Sequence, residues 1–252
     1  MLDTRASDVA ERSFDAAAVA QMERLVADFG RMYKERNEAL REVTRAHHEA
    51  LLRLSLAAEL RDDDTGTHII RIGYLAEALA LMLGEPVQAA QMLRRAAPMH
   101  DVGKIGIADR VLKKPGPFDA TERAEMNQHP LLGAHILGRS HIPLFSLAAE
   151  IALTHHERWD GSGYPKGLQG EAIPLSGRIV AVCDFFDALT MDRCYRAALS
   201  DEVALGMLKQ ESGRAFDPRV VDCFVRNIDR LVALRDYINR HPPTFESLVE
   251  LD

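Results

Sequence analysis

Two stretches, MHDVGK at residues 99–104 and HHERWDGSGYP at residues 155–165, decide how this chain is interpreted. Each contains a pair of adjacent potential metal ligands, His100-Asp101 in the first and His155-His156 in the second. Neighbouring residues of a regular helix point about 100° apart, so adjacency alone does not bring both side chains to one ion. Glycines follow both pairs, and glycine allows the backbone turns that direct neighbouring side chains toward one point. The two stretches therefore predict one shared site.

Three further potential ligands, His68, His129 and Asp184, lie in predicted helices or at their ends. Together with the two pairs they form a set of imidazole and carboxylate groups, which suits a mixed nitrogen and oxygen site for a divalent metal. The set contains no cysteine, which argues against a structural zinc site. Because a single histidine is more often structural than a ligand, the prediction rests on the whole set. The additional pair His47-His48 lies inside a predicted helix, and we interpret it as surface.

The composition is that of a soluble globular protein. Of 252 residues, 47% are hydrophobic and 27% are charged, and the formal net charge of -7 argues against a broad surface for a nucleic acid polymer. No apolar stretch approaches the roughly 20 residues of a membrane span, and the first residues lack the basic-then-apolar order of a signal peptide. The three cysteines are widely spaced and form no disulfide or CxxC pattern. We therefore expect a cytoplasmic protein with reduced thiols.

A long N-terminal helix is predicted over residues 18–60, which contain no proline and, between Arg31 and Leu60, no glycine. Eight of ten positions in a three-four spacing are apolar, and these ten are Met22, Val26, Phe29, Tyr33, Arg36, Leu40, Val43, His47, Ala50 and Leu54. The spacing predicts either a coiled-coil seam that makes a homodimer or an amphipathic helix packed on its own domain. Both alternatives remain open at this point.

The remainder of the chain predicts an all-α domain. The apolar run at residues 179–182 lacks strand partners, so we interpret it as helix interior, and the glycine-rich segment 158–177 is predicted to be a functional loop. Helix starts are indicated by Pro86, a capping-box pattern at residues 119–122, Pro130, Ser200 and Asp217-Pro218. The predicted division is a helical segment at 1–56, a catalytic domain at 57–240 and a tail at 241–252.

Taken in order, the motifs resemble the HD-GYP domain, a branch of the HD metal-dependent phosphohydrolases that acts on cyclic di-GMP. The resemblance covers roughly residues 57 to 230 and rests on five main stretches, namely RDDDTGTHIIR at 61–71, HDVGKIGI at 100–107, NQHP at 127–130, HHERWDGSGYP at 155–165 and DFFDALT at 184–190. RCYR at 193–196 and FDP at 216–218 complete the series. A lone HD pair would be weak evidence, but this series is specific. It implies an HD-type helical bundle preceded by the long helix.

The resemblance also implies a metal centre, with Asp101 bridging two ions, either iron or manganese. The implied ligands are His68, His100, Asp101, His129, His155, His156 and Asp184. Some members hold a third ion through a glutamate four residues before the first ligand histidine. Here that position is Asp64, which is one methylene shorter, so two ions and three remain alternatives.

A substrate and a reaction follow from the same resemblance. Two bridged metals lower the pKa of a bound water and clamp phosphoryl oxygens, so cyclic di-GMP would be opened to pGpG and a second round would give GMP. Lys104 is expected to steady the attacked phosphate. The implied substrate contacts are Gly163, Tyr164 and Pro165 in the loop, and Arg193 and Arg196, whose guanidinium groups suit phosphate.

The sequence leaves rival interpretations open. Cys194 stands where the family usually has proline, and Cys183 stands where it usually has a small aliphatic residue, but neither change removes a ligand. A non-catalytic sensor or docking module for a diguanylate cyclase would need no intact site, whereas the ligand set here is complete. A second cyclic dinucleotide substrate is not distinguished from cyclic di-GMP. The long helix would receive its signal from an upstream protein that the sequence does not identify.

Overall fold

The structure, a computed structural model, describes residues 3–61, 66–138, 140–191 and 197–243, and within the first helix it describes side chains from residue 17 onward. Across these ranges it contains α-helices and short 3-10 helices but no β-strand, which confirms the all-α prediction. The helices are α1 (Asp3–Arg61), α2 (Thr67–Leu83), α3 (Val87–Ala96), α4 (Asp109–Leu112), α5 (Ala120–Met126), α6 (His129–Leu137), α7 (Pro143–Thr154), α8 (Leu175–Thr190), α9 (Asp201–Gln210), α10 (Pro218–Arg226) and α11 (Ile228–Arg240), with 3-10 turns at Ala97–Met99, Val102–Gly106 and Gly170–Ala172.

The chain divides into two compact units, residues 1–47 and residues 48–252. The first unit is the helical segment alone. The second begins at residue 48, because the last turns of α1 contribute Leu52 and Ser55 to its interior, at 0% and 2% exposure. Among the described residues, no helix combines the length and the apolar character that a membrane span requires.

Helix α2 forms the centre of the second unit. It packs against α3, α8, α10 and α11, and Ile69, Ile72 and Leu79 on it are completely buried. Because α2 is covered by several helices, it is apolar on more than one side, which is expected for a helix inside a bundle. The apolar run of residues 179–182 lies in α8 and packs in the same core, so its interpretation as helix interior is confirmed.

Side-chain caps fix helix starts where the sequence indicated them. The Asp119 carboxylate accepts a hydrogen bond from the Glu122 amide at 2.9 Å, and Glu122 accepts one from the Asp119 amide at 2.8 Å, which completes a capping box at α5. Asp217 caps α10 by accepting a hydrogen bond from the Arg219 amide, and Ser200 caps α9 by accepting one from the Val203 amide. These caps satisfy amide groups that the first helical turn leaves without partners.

Gly103 brings the second 3-10 turn against α6. A Cβ atom at this position would lie 1.9 Å from the carbonyl oxygen of His129 and 2.4 Å from the Gly133 amide nitrogen. Only glycine allows this approach, since real Cβ contacts are never so short. The glycine of the HDVGK stretch therefore sets the distance between Asp101 and His129.

One interpretation from the sequence was wrong. His48 is not a surface residue but is 2% exposed, and its Nε2 atom lies 3.1 Å from the carbonyl oxygen of Arg95. The adjacent His47 is exposed, as expected. The two residues face different sides of α1, and His48 falls on the side that joins the core of the second unit. Burial lowers the pKa of His48 to about 4.

The buried imidazole of His48 should make stability depend on pH. The unfolded chain takes up a proton near pH 6.5, whereas the folded chain does so only near pH 4, so stability is lost as pH falls through this window. The loss should be on the order of 3 kcal/mol, from about 1.4 kcal/mol per unit of pKa shift. We expect the free energy of unfolding of the wild type to fall relative to that of His48→Gln between pH 6.5 and pH 4, as measured by urea unfolding. A difference that stays constant across this range would contradict the prediction.

Candidate metal centre

The potential ligands converge from five parts of the second unit. His68 lies in the first turn of α2 and Asp184 in the middle of α8. His100 and Asp101 lie between two 3-10 turns, His129 is the first residue of α6, and His155 and His156 follow the end of α7. Their donor atoms form two groups, each with atoms within 4.8 Å of one another, one made by Asp101, His129, His155 and His156 and the other by His68, His100 and Asp184.

Four of the histidines are oriented by hydrogen bonds on their outer nitrogen. The Nδ1 atom of His100 lies 3.0 Å from the Ala97 carbonyl oxygen, and that of His129 lies 2.8 Å from the Met126 carbonyl oxygen. His155 Nδ1 faces the carbonyl oxygens of α7, and His68 Nδ1 lies 2.7 Å from Asp187 Oδ2. A carbonyl oxygen only accepts, so the ring proton must reside on Nδ1. In each neutral ring the Nε2 lone pair therefore points inward.

Asp101 lies between the two groups. Its Oδ1 atom is 3.2 Å from His129 Nε2 and 3.4 Å from His155 Nε2. Its Oδ2 atom is 3.4 Å from His100 Nε2 and 2.8 Å from the Lys104 ammonium. The two oxygens of one carboxylate thus face different groups, which is the arrangement that a bridging ligand requires.

The second group adjoins the first through His100, which faces Asp101. Asp184 Oδ1 lies 3.3 Å from His68 Nε2 and 3.8 Å from His100 Nε2. His68 and His100 are 3% and 0% exposed, so the group lies deep in the domain.

Divalent cations fit these donors. The Nε2 atom of His100 and the Oδ1 atom of Asp101 are buried and have no hydrogen-bond partner among the described residues, and buried polar atoms without partners are costly. His129 Nε2 and His155 Nε2 are 3.5 Å apart, so two inward lone pairs face each other and a carboxylate oxygen. A divalent cation relieves that arrangement, and imidazole with carboxylate is a common donor set for divalent transition metals.

The pKa shifts of the site residues also indicate that the buried carboxylates favour nearby positive charge. Burial alone would lower the pKa of His68 and His100, but the neighbouring carboxylates outweigh burial and raise both values. Burial would raise the pKa of Asp101, yet Lys104 and His100 hold it well below its usual value. Burial lowers the pKa of His155 and, together with its neighbouring imidazoles, that of His156. Neutral imidazoles and ionised carboxylates are the forms that bind metals.

Glu157, for which the sequence analysis predicts no role, holds the loop after α7 in place. This carboxylate is 4% exposed and accepts hydrogen bonds from the backbone amides of Lys166, at 2.7 Å, and Leu168, at 2.9 Å. Gly163 packs on the loop itself, because a Cβ atom there would lie 2.3 Å from the Arg158 amide nitrogen. The loop after α7 is therefore held by hydrogen bonds and close packing within itself.

A cleft of about 660 Å³ opens above the centre. Of the three loop residues predicted to contact substrate, Tyr164 lines this cleft, whereas Gly163 and Pro165 are not among its lining residues. The Tyr164 ring stacks on His156, with centroids 4.9 Å apart and planes 23° apart. Asp101, Lys104 and Asp184 also line the cleft, so a ligand in the cleft can contact the centre directly.

Asp187 is a functional residue that sequence reasoning missed. It is 0% exposed and accepts hydrogen bonds from His68 Nδ1 and from Arg71, whose Nε and Nη2 atoms lie 2.7 and 2.8 Å away. The ion pair fixes the carboxylate, and the carboxylate fixes the orientation of His68. The spacing was a signal that could have revealed this role, since Asp187 follows Asp184 by three residues and shares its helix face.

Several predicted residues lie outside the described part of the chain, namely Asp64, Arg193, Cys194 and Arg196. Cys183 is buried, as expected, and burial raises the pKa of its thiol. Trp159 packs beneath the Arg178 guanidinium at 5.7 Å from its ring centroid rather than in the cleft.

Comparison with known proteins agrees with this architecture. A profile of the HD domain matches residues 49–220. The chain belongs to the HD domain family. A 3′3′-cGAMP-specific phosphodiesterase 2 of Vibrio cholerae is 44% identical over 187 residues, which cover 74% of this chain and 36% of that protein. The cyclic di-GMP phosphodiesterase response regulator RpfG of Xanthomonas campestris is 45% identical over 188 residues, which cover 75% of this chain and 50% of that protein. These relatives confirm the HD-GYP resemblance.

A solved structure shares the fold of this HD domain. The crystal structure of a cyclic GMP-AMP phosphodiesterase of V. cholerae aligns with a TM-score of 0.57 and 22% identity, covering 81% of this chain and 55% of that one. The chain spans half or less of the length of the two relatives named above. What those relatives act on as whole proteins is therefore attributed to them alone.

Replacing Asp187 should weaken metal binding through His68. In Asp187→Asn the amide cannot accept from His68 and Arg71 together as the carboxylate does, so we expect about 10- to 100-fold lower metal affinity. The measurement is isothermal titration of the metal-free protein with Mn²⁺.

Asp217→Asn is the matched control. Asp217 is 2% exposed and pairs with Arg178 at 2.6 Å, but it contacts no ligand histidine among the described residues. Both variants disrupt a buried ion pair and should lose stability, whereas only Asp187→Asn should lose metal affinity. Equal metal affinities in the two variants would assign Asp187 a structural role alone.

Proposed function

We propose that this chain is a metal-dependent phosphodiesterase that hydrolyses cyclic di-GMP to pGpG, with further hydrolysis to GMP left as an alternative. The observation that carries the proposal is Asp101, whose two oxygens face two groups of ligands at the floor of an accessible cleft. The relatives named as cyclic di-GMP and 3′3′-cGAMP phosphodiesterases support the substrate class.

The proposed centre takes two or three divalent ions, iron or manganese. When bound, these ions would supply an activated water and neutralise charge on the phosphoryl oxygens. His68, His100 and Asp184 would hold one ion, His129, His155 and His156 another, and Asp101 would serve both, with Asp64 the proposed ligand for a third.

The chain's own residues would orient the phosphodiester. The Lys104 ammonium is anchored on Asp101 at 2.8 Å and lines the cleft, so it can donate to a free oxygen of the attacked phosphate. Gly163, Tyr164 and Pro165 in the loop after α7 would contact the substrate and close one side of its site. Arg193 and Arg196 remain proposed phosphate contacts.

Hydrolysis requires that a bond forms between a water oxygen and phosphorus while the bond from phosphorus to the 3′ oxygen breaks. The 3′ oxygen takes a proton, and the ring opens to the linear dinucleotide. Lys104 would stabilise the charge that develops on the phosphoryl oxygens during this step.

A turnover assay with cyclic di-GMP, under anaerobic conditions with Fe²⁺ or Mn²⁺, tests the proposal. We expect Asp101→Ala to abolish turnover and to lose metal at more than one site, as measured by elemental analysis, because one carboxylate serves both groups. Asp222→Ala, which removes an exposed aspartate of α10, should retain activity and metal. A fully loaded and active Asp101→Ala variant would contradict the proposal.

The second candidate substrate is 3′3′-cGAMP, which is favoured by the name of the relative at 44% identity. Turnover of both cyclic dinucleotides by the same preparation decides between them. A non-catalytic sensor or a docking module for a diguanylate cyclase is the remaining alternative, and binding without turnover in the metal-loaded protein would favour it.

The buried free thiols of Cys183 and Cys223 support a cytoplasmic location.

We further propose that the first unit makes the protein a homodimer through its apolar seam. Met22, Val26 and Phe29 are each more than 60% exposed, and a continuous apolar stripe on a lone helix is unfavourable in water. A parallel pairing would cover this stripe and give an upstream signalling protein a route to the HD domain.

Light scattering at micromolar concentration tests the seam. Phe29→Glu would place two carboxylates opposite each other in the seam, so we expect this variant to be monomeric while the wild type is dimeric. Ala27→Glu adds the same charge to an exposed position off the seam and should leave the dimer intact. A monomeric wild type, or a dimeric Phe29→Glu variant, would contradict the seam.

A further inference from the structure

One wall of the cleft is built by residues 112–126, which contribute seven of its lining residues. This segment is anchored from behind by a small apolar cluster of Ile107, Val111 and Leu112, against which Phe118 and Met126 pack. It is held in front by the capping box of α5. The wall is therefore held by its own packing and capping, and it adjoins the centre where the Met126 carbonyl oxygen lies 2.8 Å from His129 Nδ1.

Two cations of this wall face the cleft, and they differ in charge balance. Lys114 forms a short ion pair with Glu122, which also accepts from the Asp119 amide, so the charge of Lys114 is already compensated. Arg123 has no ion-pair partner among the described residues, and its guanidinium lies 4.8 Å from the centroid of the Phe118 ring. Stacking on an aromatic ring orients a guanidinium while leaving its N–H groups free to donate.

Arg123 and Tyr164 line the same cleft, together with Asp101, Lys104 and Asp184. Arg123 and the Tyr164 loop thus flank the same space above the centre.

We propose that Arg123, oriented by Phe118, binds the second phosphate of a cyclic dinucleotide while the first phosphate lies at the centre. A cyclic dinucleotide is a dianion with two phosphodiesters. Lys104 and the centre would serve the attacked one. Beside the proposed phosphate contacts Arg193 and Arg196, Arg123 is a cation of the cleft lining that can serve the other. A guanidinium donates two parallel hydrogen bonds to phosphate. The inference rests on the proposed function for its ligand class, and it adds a contact that does not depend on the bases.

The test is equilibrium binding by isothermal titration calorimetry to the full chain without metal, so that turnover does not interfere. The probes are cyclic di-GMP and 3′3′-cGAMP, and the proteins are the wild type, Arg123→Gln and Arg110→Gln. Arg110 is an exposed arginine close in sequence that pairs with Glu125 and does not line the cleft, so it controls for net charge. We expect Arg123→Gln to weaken binding of both probes by the same factor, about 10- to 100-fold for a charged hydrogen bond, and Arg110→Gln to change neither.

Unchanged affinity in Arg123→Gln would overturn the inference. A loss confined to cyclic di-GMP would also overturn it, since it would mean that Arg123 contacts a base. A wild type that binds neither probe, with or without Mn²⁺, would overturn the inference as well. Turnover with Mn²⁺ is measured separately. Binding that depends on Arg123 without turnover would contradict the proposed function and support the phosphate contact of Arg123. Turnover with unchanged affinity and KM in Arg123→Gln would support the proposed function and contradict the phosphate contact.

Discussion

The structure depends on the inward direction of four imidazole lone pairs. His68, His100, His129 and His155 each donate Nδ1–H outward, to a backbone carbonyl or to Asp187, which leaves the Nε2 atoms facing one another and the carboxylates of Asp101 and Asp184. Such an arrangement in a protein interior is unfavourable without positive charge, because the inward atoms of neutral rings and of ionised carboxylates are all acceptors. The domain therefore folds around positive charge that it does not itself supply in full, and Lys104 contributes only part of it.

The rest of the second unit serves to hold these donors. Helix α2 carries His68 through the core, and α8 carries Asp184 and Asp187 on one face toward it. Gly103 allows the turn that bears Asp101 to touch the start of α6, so the carboxylate reaches His129. Glu157 folds the loop after α7 back on itself and thereby places Tyr164 over His156. Helix packing, close glycine contacts and loop hydrogen bonds together position the donor atoms of the centre.

Sequence reasoning predicted the parts of this account that depend on residue type and order. The all-α fold and the caps at Asp119, Ser200 and Asp217 follow from local chemistry, which a sequence displays directly. It failed where a role depends on which face a residue occupies in the folded chain. The sequence predicts the pair His47-His48 to be surface, but His48 is buried. The role of Asp187 depends on its contact with Arg71, which the sequence does not display. Arg123 carries no motif, and only the shape of the cleft brings it near the site.

The central claim is that the buried donors form a site for at least two divalent ions. Calorimetric titration of the metal-free chain with Mn²⁺, combined with thermal unfolding, tests it most directly. We predict that two or more ions bind per chain and that the free energy of unfolding rises by about 4 kcal/mol per site at a thousandfold excess over the dissociation constant. A chain that binds no ion, or that binds one without a rise in its unfolding temperature, would contradict the claim.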